Sequence, residues 1–261
     1  MISRREVLSW LGASAGGCAV GAGSPLPVAA AGTQPAAKGT RVVSLESFYL
    51  THADHGARLH AYLGDTVLPQ MRKMHRGPRL CLEAIVAPYT PQAALMAVFS
   101  SFDEVLDTRA RLASNRRVRQ RRAELELAGV LEAVRSQLLL VDQESLHFPA
   151  DLKSLRTGVL EVRSYDAPAW HEGPPEHVIE VLRHAGVHPI VNAATAAGEH
   201  VPRFTYVIPF ENLAAREQVW TKLDADPEWI GMQREWASRH GSPARVTSKS
   251  IYKLVVFSQL G

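Results

Sequence analysis

The chain of 261 residues is predicted to adopt an α+β fold made of two tandem β-α-β-β-α-β units, the ferredoxin-like order. Three observations predict it. Short runs rich in β-branched and aromatic residues alternate with longer runs whose apolar residues recur at helical spacing. The order strand, helix, strand, strand, helix, strand is met once over residues 41–150 and again over 158–261. The 46% hydrophobic content is that of an ordinary globular core.

The first forty residues stand apart from that pattern. Residues 3–8 read Ser-Arg-Arg-Glu-Val-Leu, a Gly/Ala-rich and mildly apolar stretch runs from Leu11 to Gly23, and Val28-Ala29-Ala30-Ala31 ends it. Paired Arg4 and Arg5, a weak apolar core and a small-residue cleavage site resemble a twin-arginine export signal over 1–31. Val7 and Ser9 stand where the usual pattern has Phe and Lys. The apolar run is too short and Gly-rich for stable membrane insertion. Export implies a periplasmic or secreted protein. Cleavage after Ala31 would change the formal net charge from +3 to +2, since only Arg4, Arg5 and Glu6 are charged in the leader. So small a charge gives no case for nucleic acid as a partner. Cys18 would leave with the leader unless lipidated, and Ala15-Gly16-Gly17 before it lacks the larger apolar residue a lipidation site carries. Cys81 would then be the mature chain's one thiol, a buried small hydrophobe with no basic sequence neighbour to activate it. Residues 32–40 read as a flexible lead-in.

In the first unit, Val42 to Tyr49 reads as a strand. A helix follows from about Ala53 to Met71, with Asp54 as its cap and Leu59, Leu63, Val67 and Met71 along one face. Gly77-Pro78 breaks the chain before strands at Leu80 to Ala87 and Ala94 to Phe99. A long helical stretch runs from Phe102 to about Leu127, and 128–137 also reads as helical. Leu138 to Phe148 holds the last strand. The arginines of the long helix, from Arg109 to Arg122, are flanked by Asp103, Glu104, Asp107, Glu124 and Glu126 and read as a solvated face.

The second unit opens with the strand Val159 to Tyr165. After the Pro-rich turn 167–175 come a helix at Glu176 to Ala185 and strands at Gly186 to Ala194 and Phe204 to Pro209. Two linked helices follow, and then a final strand at Lys249 to Phe257. Phe102-Asp103 and Phe210-Glu211 are expected at equivalent places, 108 residues apart. Asp226-Pro227 is a helix start: Asp accepts the orphan N–H groups and Pro has its φ already set. Trp229, Trp236 and His240 then share a face until Gly241 ends the helix. Each unit covers one sheet face with its own helices. Two such sheets can close on each other into a barrel, within one chain or across a homodimer.

These residues carry a resemblance. Glu161-Val162-Arg163-Ser164-Tyr165, the passage Phe210-Glu211-Asn212-Leu213 with Arg216, and Asp226-Pro227-Glu228-Trp229 resemble the opening strand, strand-to-helix passage and D-P-x-W helix start of the NIPSNAP family. That family belongs to the dimeric α/β barrel superfamily. The match covers 158–257 well and 41–150 weakly: the first unit has Leu45-Glu46-Ser47-Phe48-Tyr49 and Ser114-Asn115-Arg116-Arg117 instead. The resemblance implies the tandem barrel fold but no reaction. Asp226, Pro227 and Trp229 are read as a structural signature.

The strand at 159–165 is the functional suspect. Leu160 and Val162 share one face; Glu161, Arg163 and Tyr165 share the other. With the apolar face on the helices, the polar one looks into the barrel and, with Tyr206, lines a pocket for a small polar ligand. The same residues fit a salt-bridge network between the units. The expected function is an exported small-molecule-binding or protein-interaction module. The alternative is a cofactor-poor monooxygenase or isomerase acting on a small organic substrate, with Arg163 binding an anion and Tyr165 or Tyr206 transferring a proton. His184 and His188 are four apart, but Gly186 and Pro189 interrupt the helix and no carboxylate or thiolate completes a set, so neither metal nor cofactor is expected.

Overall fold

The computed structural model describes residues 39–149, 155–166, 176–199, 201, 203–241 and 245–255. The expected leader over 1–31 and Cys18 lie outside them, as does the lead-in except for its last two residues.

The strands are β1 (Thr40–Leu50), β2 (Arg79–Val86), β3 (Gln92–Phe99), β4 (Leu131–Asp142), β5 (Val159–Asp166), β6 (Val191–Ala197), β7 (Phe204–Phe210) and β8 (Arg245–Leu254). The helices are α1 (Gly56–Tyr62), α2 (Leu68–Met74), α3 (Phe102–Ser114), α4 (Arg116–Leu127), α5 (Glu176–Ala185), α6 (Leu213–Asp224) and α7 (Pro227–His240). A π turn at Leu63–Val67 joins α1 to α2.

All eight strands form one closed barrel in the order β1-β3-β2-β8-β5-β7-β6-β4. Each half keeps the ferredoxin-like order: β4-β1-β3-β2 in the first unit, β8-β5-β7-β6 in the second. Antiparallel pairs β2–β8 and β4–β6 join the halves. The chain therefore supplies its own partner sheet, and neither sheet keeps an open edge.

Three clusters hold the barrel and its cover. One takes a residue from every strand, among them Val43, Leu80, Met96, Leu139, Leu160, Val191, Val207 and Tyr252, and so fills the lumen. The second packs Leu59, Met71 and Val105 of the first unit's helices on the outer face of its sheet, at Phe48, Cys81 and Leu95. The third does the same in the second unit, with Val181, Leu223 and Trp220 against Tyr165, Tyr206 and Ile208. Cys81 is 1% exposed, and burial pushes its thiol up to about 12, which makes it an inert core residue.

Several expectations are corrected. The stretch 128–137 is not helical: Ala128-Gly129 turns the chain, and β4 starts at Leu131. Pairing with β1 from Thr40 to Leu50 imposes the strand on a segment whose side chains are mostly exposed. The strand ends at Asp142, short of Phe148. β6 begins later than expected, at Val191, after Gly186 has ended α5, and β8 starts four residues earlier than expected, at Arg245. Asp54 makes no cap: it sits inside the short 3-10 turn Ala53–His55, where no side chain caps the N-terminus. Arg109 leaves the solvated arginine face and reaches Ser44, Ser136 and Glu46 on the sheet.

The two units are also out of the expected register. Phe210 ends β7, whereas Phe102 begins α3. The true equivalents are the N-caps Ser101 and Asn212, 111 residues apart, whose side chains each accept from the N–H three residues on. The caps Asn115 and Asp226 are also 111 residues apart. Asn115 accepts from Arg117 and Val118, as Asp226 does from Glu228 and Trp229. The first unit thus keeps the capping geometry of the D-P-x-W joint with different residues. At the other end of α7, Gly241 takes φ 77°, the left-handed C-terminal turn that glycine adopts without strain.

One buried polar pair of the first unit makes stability pH-dependent. His75 is 2% exposed; its Nδ1 meets Glu104 Oε1 at 2.8 Å, and its ring stacks on Phe99 at 4.3 Å. Burial lowers the His75 pKa, with Glu104 opposing. Burial also works to raise Glu104, but hydrogen bonds from Ser100 and His75 leave it below its usual value. The unfolded chain therefore takes up protons more readily as pH falls, and folding is weakened first. The melting temperature is expected to hold above about pH 7 and to fall as pH drops below about 6.5, with a second loss once Glu104 is protonated. Burial lowers His60 too, so it shares in the first loss. His75→Gln should flatten part of that first step in a thermal melt series; an unchanged profile would contradict the assignment.

Candidate functional site

The four residues singled out on β5 and β7 do come together, but on the other side of the sheet from the expected one. Leu160 and Val162 point into the lumen, among the side chains of the other strands. Glu161, Arg163 and Tyr165 point outward, beneath α5, α6 and α7. The physical reason is visible in the helix cover. Helix α6 brings Arg216 and Trp220, four residues apart and so on one face, directly over Glu161.

Glu161 is fully buried. Arg216 Nε donates to its Oε2 at 2.8 Å and Nη2 to its Oε1 at 3.3 Å, while the Trp220 indole N–H donates to Oε2 at 2.8 Å. A buried carboxylate is tolerated only with such partners. Arg163 lies beside it, with Nη1 3.9 Å from Glu161 Oε1. Its guanidinium is stacked 3.8 Å from the centre of the Trp220 ring and 5.7 Å from that of Tyr165. Tyr165 and Tyr206 meet edge to face at 5.7 Å.

Register places a third strand in the row. Arg163 pairs with Tyr206 across β5–β7, and Tyr206 pairs with Asn192 across β7–β6. Along this row, Arg163 Nε and Nη1, Tyr206 Oη and Asn192 Oδ1 are buried without a hydrogen-bond partner among the described residues. The row is thus polar, aromatic-walled and short of partners. Burial lifts the Tyr165 phenol to about 12 and that of Tyr206 well above the ordinary tyrosine value. At neutral pH both phenols are therefore donors of hydrogen bonds and not bases.

Arg216, Trp220 and Asn192 were not among the sequence candidates for the pocket. The i, i+4 pair on α6 was a usable signal for the first two; Asn192, in the small-residue strand Val191–Ala197, gave none.

The equivalent place in the first unit is differently built. There Arg109 of α3 bonds Ser136 and Ser44 and pairs with Glu46 at 3.0 Å, so its charge is answered within the unit. The signature residues Asp226, Pro227 and Trp229 form the start of α7. Trp229 and Trp236 pack on the helix–sheet cluster, and Trp236 lies 4.2 Å from the His240 ring. Among the described residues no three of His, Cys, Asp or Glu gather where a metal ion could be held, and no helix is long and apolar enough to cross a membrane.

Comparison with known proteins bears on the fold. The NIPSNAP family model matches residues 158–259, the second unit. No curated protein matches the chain. Among solved structures, an anthrone oxidase-like protein is similar over 82% of this chain and 91% of its own, with 9% identity and a TM-score of 0.54. A chlorite dismutase from Candidatus Nitrospira defluvii matches over 83% and 92%, with 11% identity and a TM-score of 0.48. A NIPSNAP family protein from Agrobacterium tumefaciens matches over 38% of this chain and 90% of its own, with 16% identity and a TM-score of 0.30.

Proposed function

We propose that the chain is an exported NIPSNAP-like protein that binds a small organic molecule in its second unit, between the β5-β7-β6 sheet face and the helices above it. The observation that carries the reading is the row Arg163–Tyr206–Asn192. Three side chains from adjacent strands hold four buried polar atoms without a hydrogen-bond partner among the described residues, at a place where unpaired polar atoms are costly. Export is supported by the leader pattern around Arg4 and Arg5.

Binding is favoured over proton-abstracting catalysis because Tyr165 and Tyr206 keep their protons at neutral pH. In the monooxygenase or isomerase alternative these phenols start protonated and would serve as general acids, not bases.

Native mass spectrometry of protein recovered from the periplasm tests both parts together. The expected chain mass lacks residues 1–31, and the expected spectrum shows a small-molecule adduct that is lost in Arg163→Gln. A full-length mass would overturn the export reading, and an adduct retained by Arg163→Gln would overturn the site.

A further inference from the structure

We infer that the ligand of this site is a flat organic monoanion, a hydroxy-carboxylic acid, whose carboxylate is held by Arg163 and whose hydroxyl reaches Asn192. The inference rests on the binding-module reading and adds the ligand's charge and shape.

The charge follows from the buried groups. Arg163 and Arg216 bring two positive charges beneath the helices, and Glu161 brings one negative charge. Glu161 is already committed to Arg216 and Trp220 by hydrogen bonds at 2.8–3.3 Å, and Arg163 reaches it only at 3.9 Å. Glu217 stands 3.5 Å from Arg216 but is 74% exposed, so water screens it. Lys249, the register partner of Arg163 on β8, is exposed and adds further positive charge. Asp166 is engaged by Arg203 at 3.3 Å, and Asp224 is exposed at the end of α6. Among the described residues the site is one negative charge short, and the shortfall is at Arg163.

The shape follows from the register. Nε–H and Nη1–H open on different sides of the guanidinium, with Nη1 on the side of Glu161, so a ligand carboxylate meets the Nε side in a charge-assisted hydrogen bond. Tyr206 Oη, protonated, is a third donor one strand away. Asn192 Oδ1, two strands from Arg163, is an acceptor and calls for a donor on the ligand. Strands lie about 4.8 Å apart, so the row from Arg163 to Asn192 spans roughly 10 Å between backbones. That suits a single ring with a carboxylate at one end and a hydroxyl at the other. Tyr165, Phe204, Tyr206 and Trp220 supply flat apolar walls.

Calorimetry and thermal-shift titration with 4-hydroxybenzoate, its methyl ester and benzoate test the inference on the whole mature chain. The acid is expected to bind and stabilise the fold. The ester, which has the same ring without the charge, should bind at least about tenfold more weakly, the equivalent of 1.4 kcal/mol. Benzoate should fall between them. Arg163→Gln should abolish the preference for acid over ester, and Tyr206→Phe, which removes one hydroxyl and keeps the ring, should weaken the acid severalfold without changing the unliganded melting temperature by much. Where Arg163→Gln fails to fold, Arg163→Lys serves, retaining charge but losing the fixed Nε donor. Ester binding as tight as acid binding, or acid binding indifferent to both Arg163 and Tyr206, overturns the inference. Should neutral molecules from a broader screen bind through Arg163 and Tyr206 while acids do not, the anion inference falls and the binding-module reading stands. Should nothing bind, both fall.

Discussion

Replacing Glu161 by Ala is expected to lower stability by about 3–5 kcal/mol, the cost of breaking a buried ion pair and leaving its partner charged and unanswered. The carboxylate is fully buried and holds Arg216 by two hydrogen bonds and Trp220 by one. Arg163 and Arg216 are only 11% and 15% exposed in their side chains, so water cannot take over the role of Glu161. For a chain of this size the loss corresponds to a fall of roughly 10 °C in melting temperature. Glu161→Gln keeps an acceptor for Trp220 and removes only the charge, so it should cost less. Removing Arg216 together with Glu161 should return part of the loss, because a charge no longer lies stranded. A loss under about 1 kcal/mol for Glu161→Ala would mean that the cluster is open to solvent in solution.

The second large effect is expected in the lumen. Leu160 is 1% exposed and packs among residues from all eight strands. Leu160→Ala should cost about 2–5 kcal/mol, the transfer term plus the cavity it leaves. The closed barrel lets the surrounding strands relax little, which places the value in the upper half of that range. Leu106→Ala, on the exposed side of α3 where the leucine is 53% exposed, should change stability by under about 0.5 kcal/mol. Chemical denaturation of the two variants compares them directly. Equal, small effects would mean that the apolar face of β5 does not pack into a sealed lumen.

Both predictions depend on which way β5 faces, and this is the point at which the sequence was least informative. Alternation along Leu160-Glu161-Val162-Arg163 shows two faces and fixes which residues share each. It does not say which face meets helices. The usual expectation puts the apolar side there. Here both layers are apolar overall: the lumen is filled by the other strands, and the helix layer tolerates Glu161 because α6 carries its partners. The sign of the face is a property of Arg216 and Trp220, more than fifty residues downstream. The repeat of the strand and helix order was legible because β1, β3, β5 and β7 are dense in buried β-branched or apolar residues. β4 was not legible because its first half is exposed and is made of residues that suit a helix; only its pairing with β1 along its length makes it a strand. The register between units was misjudged because two phenylalanines in similar local sequences mark different structural positions, while the equivalent caps differ in residue type, Ser101 against Asn212 and Asn115 against Asp226.

Divergence of the two units follows the same residues. Where the helix after the third strand meets the sheet, the first unit has Arg109, bonded to Ser44 and Ser136 and paired with Glu46. In the same layer of the second unit, Arg163 Nε and Nη1 are buried without a hydrogen-bond partner among the described residues. The first unit answers its arginine and the second leaves Arg163 short, which is the physical basis for proposing a site in the second unit.

A crystal structure of the chain with bound 4-hydroxybenzoate is the most direct test of the proposed site. The carboxylate is expected against Arg163 Nε and beside Tyr206 Oη. The acid found instead in the barrel lumen, or in the open groove lined by His147, Arg183 and His188, with Arg163 unengaged, would contradict it.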